Sequence, residues 1–332
     1  MTNSVGPNKF GPTEFAAGGQ PPETVFSELE ARRSGDVRWR EGRAFSLAYY
    51  AGPEVAHVAE EAYRRFSGEN TLNTAAFPSL EQMQSEVLSI VGQWLGATSD
   101  SAGFFTSGGT ESLLMAVKAA RDRARAERNI SKPNMVLATS AHAAFEKAAA
   151  YFGVESRRIP VRDDWRADVA AMRSAVDADT VLIVGSAPQY PQGVIDDIPG
   201  IAAIARANNF NCHVDACMGG VTLAYLAKLG HNISPWNLLV DGVSSISVDL
   251  HKFGYTAKGA SVMMYASKHL RLYQVFMTTN WLGGLYGSSG VLGTKSGGSI
   301  AAAWATLRHL GDEGYVRLTK DAHGAAVPYG TV

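Results

Sequence analysis

Apolar positions along the chain follow two rhythms. Before residue 100 they recur every three or four positions. Residues 54–66 read as one helix, and Met83, Val87, Ile90, Val91 and Leu95 draw an apolar stripe along a second. The stretch between them, residues 70–79, is polar and reads as a loop. From Gly103 onward short, continuous apolar runs take over. Residues 135–138, 180–186, 212–215, 243–248 and 261–266 have the length and the bounds of buried strands. Helical patterns lie between several of them, at 110–128, 143–152, 166–176 and 201–208. Strands alternating with helices predict an α/β fold around a mostly parallel sheet. Residues 1–24 are rich in Gly, Pro, Asn and Thr and read as an arm.

Composition narrows the picture. At 46% hydrophobic and 18% charged residues, the chain is neither disordered nor fibrous. Its 332 residues suffice for a large core and suggest two domains. Thirty basic and 31 acidic residues leave a net charge of −1. No global field draws in nucleic acid or an anionic membrane. Two cysteines cannot build a disulfide framework, which points to a reducing compartment. There is no apolar run of transmembrane length and no secretory signal at the start, so the expected location is the cytoplasm.

Four local features carry candidate chemistry. The string SVDLHKFGYTAKG (247–259) follows an apolar run, so Asp249, His251 and Lys252 stand at a strand end or just beyond it. Ligand sites of open α/β sheets gather there. A lysine at such a site can form a Schiff base with an aldehyde, provided its amine loses its proton; burial or the cations His251 and Lys258 would lower its pKa. A surface lysine beside a histidine is the plain alternative. The second feature, TSGGTES (106–112), opens an amphipathic helix. The glycines of its Ser107-Gly108-Gly109-Thr110 turn permit close backbone approach, and the free N–H groups of the helix start favour a phosphate. A Gly-Gly turn is often only a turn. The third is HVDACMGG (213–220), where Asp215 can cap a core or face a cationic nitrogen. The fourth is His142, which follows the 135–138 run and can pack on a flat ring. Cys212, His213 and Cys217 invite a metal reading. Successive strand residues point to opposite faces, however, so plain buried cysteines are expected and no metal. Together, Lys252, Asp215, the Ser107–Thr110 turn and His142 meet the needs of pyridoxal 5′-phosphate: a lysine for its aldehyde, an acid for its ring nitrogen, donors for its phosphate and a surface for its ring.

The strings TSGGTESLLMAVKAARDRAR, SAHAAFEKAAAYFGV, HVDAC and SVDLHKFGYTAKG resemble the sphingosine-1-phosphate lyase family, one of the fold-type I, group II decarboxylase-like pyridoxal phosphate enzymes. PQYPQGVID (188–196), WLGGLY (281–286) and GYVRLTK (314–320) extend the likeness over roughly residues 40–320. The resemblance implies an α/β large domain with a mostly parallel seven-stranded sheet flanked by helices. It also implies roles. Lys252 would carry the cofactor, Asp215 would face its ring nitrogen and His142 would stack on its ring. Gly108, Gly109 and His251 would contact the cofactor phosphate. Lys258 would lie near the substrate phosphate and Tyr190 near the reacting carbon. Tyr50, in SLAYY (46–50), would act across a homodimer boundary, with Asn70 and Asn73 on a loop that also faces the site; some relatives have a histidine at Asn73.

The domain division expected on this basis is an N-terminal arm and segment over residues 1–69, a cofactor-binding large domain over 70–320 and a tail over 321–332. The small C-terminal domain of relatives would then be missing. Eukaryotic members carry a membrane anchor; none is seen here. The expected reaction is retro-aldol cleavage of a phosphorylated sphingoid base, a phosphorylated amino alcohol, to a fatty aldehyde and phosphoethanolamine. An amino-acid decarboxylase and an inactive truncated protein of the same fold are the alternatives.

Overall fold

The computed structural model describes residue 15 and residues 17–326. The expectations for residues 1–14 and 16 of the arm, and for 327–332 of the tail, lie outside the described residues. The chain divides into two compact units between Ala48 and Tyr49. In the first, helix α1 (Pro22–Arg32) starts on a proline, whose fixed φ and missing N–H suit a first helical position. Val25, Phe26 and Leu29 on this helix are exposed.

The second unit begins with helices α2 (Pro53–Arg65) and α3 (Pro78–Trp94). The α/β layers follow: β1 (Ala102–Thr106), α4 (Gly109–Arg128), β2 (Asn134–Ala138), α5 (Ala144–Phe152), β3 (Glu155–Ile159), α6 (Val169–Ala175), β4 (Thr180–Ser186), α7 (Ile198–Asn208), β5 (Asn211–Asp215), α8 (Gly220–Lys228), β6 (Ser245–Asp249) and β7 (Ser261–Tyr265). Helix α9 (Lys268–Leu272), a hairpin of β8 (Phe276–Thr278) and β9 (Tyr286–Ser288), and α10 (Gly298–Ala326), broken at Gly311, complete it. Helix α2 packs along α10, so residues expected in the N-terminal segment belong structurally to this second unit.

Seven strands form one sheet in the order β1-β7-β6-β5-β4-β2-β3. Strand β7 runs antiparallel to both neighbours, and the other pairs are parallel. Helices cover both faces, which is why the strands read as unbroken apolar runs. On β2, Met135 and Leu137 enter a core with Leu113, Leu114 and Val117 of α4 and Phe145 of α5. Val136 and Ala138 enter the opposite core, with Ile183, Val214, Ile246, and Ile201 of α7. Strand β3 escapes the hydrophobic pattern because it is an edge. Its Arg157 and Arg158 point charge outward and pair with Asp177 at 2.6 Å and Glu146 at 2.6 Å, which guards the edge against further pairing.

This topology positions the site. Strands β1, β2, β5 and β6 all run in one direction, so Ser107, His142, Asp215 and Asp249 emerge on one edge of the sheet. The return from β6 to the antiparallel β7 makes residues 250–260 a loop on that same edge.

Candidate active site

A cavity of about 480 Å³ opens at the C-terminal edge of the parallel strands. Ser107, Gly108, Gly109 and Thr110 from the start of α4 line it, with His142 after β2, Asp215 at the end of β5, and Asp249, His251 and Lys252 after β6. The eight residues expected at a cofactor site are therefore brought together. Tyr50, Tyr190 and Lys258 do not line this cavity.

Lys252 reaches across the loop to Asp249, its Nζ 2.9 Å from Oδ2. Asp249 is almost wholly buried and is backed by hydroxyls. Ser261 Oγ donates to its Oδ1, Ser112 Oγ lies 3.4 Å from Ser261 Oγ, and Thr106 Oγ1 lies 2.6 Å from Ser112 Oγ. The expectation of a lowered lysine pKa does not hold. Burial disfavours the Lys252 charge, but the Asp249 carboxylate, with Cys217 and Asp215 behind it, outweighs burial and raises the pKa above its ordinary value. The deciding charge is the aspartate three residues back rather than the cations His251 and Lys258. His251 is the opposite case. Burial first, and then the cations Lys258 and Lys252, hold it below its usual pKa, and Nδ1 accepts the Ala260 N–H at 3.2 Å.

Asp215 is buried, and burial raises its pKa against the pull of the Cys217 N–H, which donates to Oδ1 at 3.1 Å, and of His142 and Lys252. His142 faces solvent at the cavity rim, its Nδ1 accepting the Ala144 N–H at 3.1 Å. The turn before α4 requires its glycine. A Cβ on Gly109 would stand 2.8 Å from Asp249 Oδ2 and 2.9 Å from Cys217 Sγ.

One residue that sequence reasoning passed over organises this turn. Glu111 is buried, and its Oε2 accepts the Ser107 N–H at 2.6 Å while its Oε1 accepts the Val291 N–H at 2.7 Å. Burial opposes its charge, but these N–H donors and nearby Lys295 prevail and hold the carboxyl below its ordinary pKa. It thereby ties the phosphate-type turn to residues 291 and 292, which form part of the cavity wall. The available signal was a glutamate at the third helical position, where a carboxylate reaches back to the helix entry.

The remaining expected residues sit elsewhere. Lys258 lines a second, smaller cavity; its Nζ donates to the His251 carbonyl at 3.3 Å and lies over the Tyr49 ring at 5.3 Å. Burial, then Lys252, lower its pKa. Tyr49, the neighbour of Tyr50, packs edge-on against Phe253 at 5.0 Å. Tyr190 is half-exposed on the loop after β4. Asp196 closes that loop, its carboxylate accepting from Ser186 N and Ala167 N at 2.8 Å each. Asn70 donates to Thr294 Oγ1 at 3.4 Å, and Asn73 precedes a single helical turn; neither lines the large cavity. His213 is buried between Ser245 Oγ at 2.9 Å and Ser247 Oγ at 3.2 Å, and both cysteines are buried thiols.

Comparison with known proteins follows the same lines. The model of the pyridoxal-dependent decarboxylase conserved domain matches residues 23–326. The chain is 43% identical over 297 residues to sphingosine-1-phosphate lyase 1 of Rattus norvegicus, covering 89% of this chain and 52% of that one. It is 36% identical over 321 residues to the sphingosine-1-phosphate lyase of Saccharomyces cerevisiae, covering 95% and 54%. The chain thus spans about half the length of these curated relatives. Among solved structures it is similar to the Burkholderia pseudomallei sphingosine-1-phosphate lyase, with a TM-score of 0.89 and 40% identity over 93% of this chain and 73% of that one. A glutamate decarboxylase from Lactobacillus brevis, 20% identical with a TM-score of 0.80 over 96% of this chain and 74% of that one, shares the fold.

Proposed function

The chain belongs to the pyridoxal-dependent decarboxylase family, in its sphingosine-1-phosphate lyase branch, and from that premise we propose that it acts as a carbon–carbon lyase. Its substrate on this reading is a phosphorylated sphingoid base, split to a fatty aldehyde and phosphoethanolamine. The observation that carries the reading is the single cavity joining Lys252, Asp215, His142 and the first turn of α4.

The residues present fit pyridoxal 5′-phosphate. An amine, a buried acid and a glycine-cradled helix start face one space. Lys252 would hold the cofactor, and the N–H groups of Gly108–Thr110, which the helix leaves without partners, would hold its phosphate. His142 would pack on its ring. Bound there, the cofactor supplies an electron sink for carbon–carbon cleavage. Asp215 would keep a proton on the ring nitrogen; its burial strengthens that pairing by excluding water. Asp249 aims the Lys252 amine and accepts its charge. His251, neutral at ordinary pH, would donate from Nε2 to the cofactor phosphate. Lys258 would meet the substrate phosphate, with Tyr190 near the reacting carbon.

We further propose that the working unit is a cytoplasmic homodimer, with Tyr50 and the Asn70–Asn73 loop serving the partner's site. Trp281, Leu282, Leu285 and Val291 are exposed, and Val291 also lines the cavity; these apolar side chains support contact with a second copy. Two free buried thiols suit a reducing compartment. No helix among the described residues is long and apolar enough to cross a membrane. Product analysis with a phosphorylated sphingoid base tests the reaction. Aldehyde with phosphoethanolamine supports it; carbon dioxide from an amino acid would favour a decarboxylase.

A further inference from the structure

A second cavity of about 230 Å³ adjoins the first, and Ser107 and Leu292 line both. Its wall holds two lysines, Lys258 and Lys295, with the hydroxyls of Thr71, Thr294 and Ser296, and no carboxylate. Resting on the lyase reading above, in which Lys258 meets the substrate phosphate, we infer that Lys295, on the wall of the same cavity, is a second cation reading that phosphate.

The argument starts from charge balance. An ammonium drawn out of water is stabilised by a counter-charge or strong acceptors, and Lys295 is partly buried while Lys258 is the more exposed of the two. Lys252 has Asp249 at 2.9 Å. Among the described residues, neither Lys258 nor Lys295 has a carboxylate within 4 Å. Glu111, the acid whose field reaches Lys295, has its oxygens engaged by the Ser107 and Val291 N–H groups. Burial accordingly works against the charge of both lysines. A phosphate carries about 1.5–2 negative charges at neutral pH and so matches two ammonium groups.

Position is fixed as well as charge. The Lys295 carbonyl accepts from Thr71 N at 3.0 Å and Thr71 Oγ1 at 3.3 Å. Its Nζ lies over the Phe104 ring at 5.0 Å. The backbone is therefore pinned and the amine is held by a ring face, which leaves its N–H donors for a ligand. Lys258 spends one donor on the His251 carbonyl. The shared rim at Ser107 gives a ligand attached at Lys252's end a short path between the two cavities.

The test uses the full chain loaded with pyridoxal phosphate. Binding of inorganic phosphate is followed by calorimetry, and KM and kcat are compared for a phosphorylated sphingoid base and its dephosphorylated form. Lys295→Met should weaken phosphate binding and raise KM for the phosphorylated base about ten- to a hundredfold, the usual size of a lost charge-assisted contact. The dephosphorylated base should be unaffected, and Lys295→Arg should restore most of the phosphate binding. A cofactor absorbance like that of wild type shows that each variant is folded. Wild-type phosphate binding and selectivity in Lys295→Met would overturn the inference alone. A wild-type protein indifferent to the substrate phosphate would remove the substrate reading along with it. Equal loss in the Met and folded Arg variants would also overturn it, because then shape and not charge matters.

Discussion

Replacing Glu111 with glutamine asks whether one buried carboxylate holds the cofactor turn in place. The carboxylate accepts two backbone N–H groups, from Ser107 at 2.6 Å and Val291 at 2.7 Å. A glutamine keeps one acceptor oxygen and turns an NH₂ group toward the other N–H. One charge-assisted hydrogen bond is lost, the other is weakened, and a donor is left facing a donor. Bonds to charged groups contribute about 1.5–3 kcal/mol, and an unpaired buried donor costs about 1–3 kcal/mol. Because these overlap, a local loss of about 2–4 kcal/mol is expected. The effect belongs to the turn and the 290–292 segment, so hydrogen exchange at single amides is the fitting assay. Protection of Ser107 and Val291 should fall by about thirtyfold to a thousandfold, at 1.4 kcal/mol per factor of ten. Pyridoxal phosphate affinity should fall with it, because the same turn presents the phosphate donors. Gly290→Ala should act alike, since its Cβ would clash with Glu111 Oε1. Unchanged protection and cofactor affinity in Glu111→Gln would refute the tie.

Three further outcomes are expected. His213 is held neutral by burial, its pKa lowered to about 3, so an unfolded chain takes up a proton that the folded one refuses. Its stabilising contribution is full above about pH 6.5 and is lost as pH falls toward 3. Between pH 7.5 and 5, wild type should lose about 2 kcal/mol more than His213→Asn in urea unfolding; parallel slopes would contradict this. Burial pushes the Cys212 thiol up to about 12, and burial with Asp215 and Asp249 pushes Cys217 well above its ordinary value. A thiol reagent at pH 8 should label both only after unfolding, and rapid labelling of the folded chain would show the thiols to be accessible. Asp215→Asn should weaken cofactor retention and slow turnover far more than a surface change, and unaltered turnover would remove its role at the ring nitrogen.

Much of the second unit was legible because each central strand is buried on both faces and so appears as an unbroken apolar run. The expected 180–186 strand and the observed Thr180–Ser186 coincide. Helix α4 was legible from its apolar face, and its glycine entry from the TSGGT string. What escaped had physical reasons. Strand β3 carries its charges because it is an edge. Hairpin strands β8 and β9 are three residues each, too short for a period to show. Glu111 depends on a partner 180 positions away and Lys295 on partners 191 and 224 positions away, and no local pattern carries such distances. Lys252 departs from expectation because Asp249, three residues back, lies 2.9 Å from its amine and outweighs burial. The roles of Tyr50 and Tyr190 came from the family likeness, and neither side chain lines the large cavity.

The most direct test of the central claim is the site of cofactor attachment. The chain is loaded with pyridoxal phosphate and reduced with borohydride, and the modified peptide is mapped by mass spectrometry. The account predicts one pyridoxyl group on Lys252, with none after Lys252→Ala. A pyridoxyl group on Lys258, Lys295 or any other lysine, with Lys252 unmodified, would contradict it.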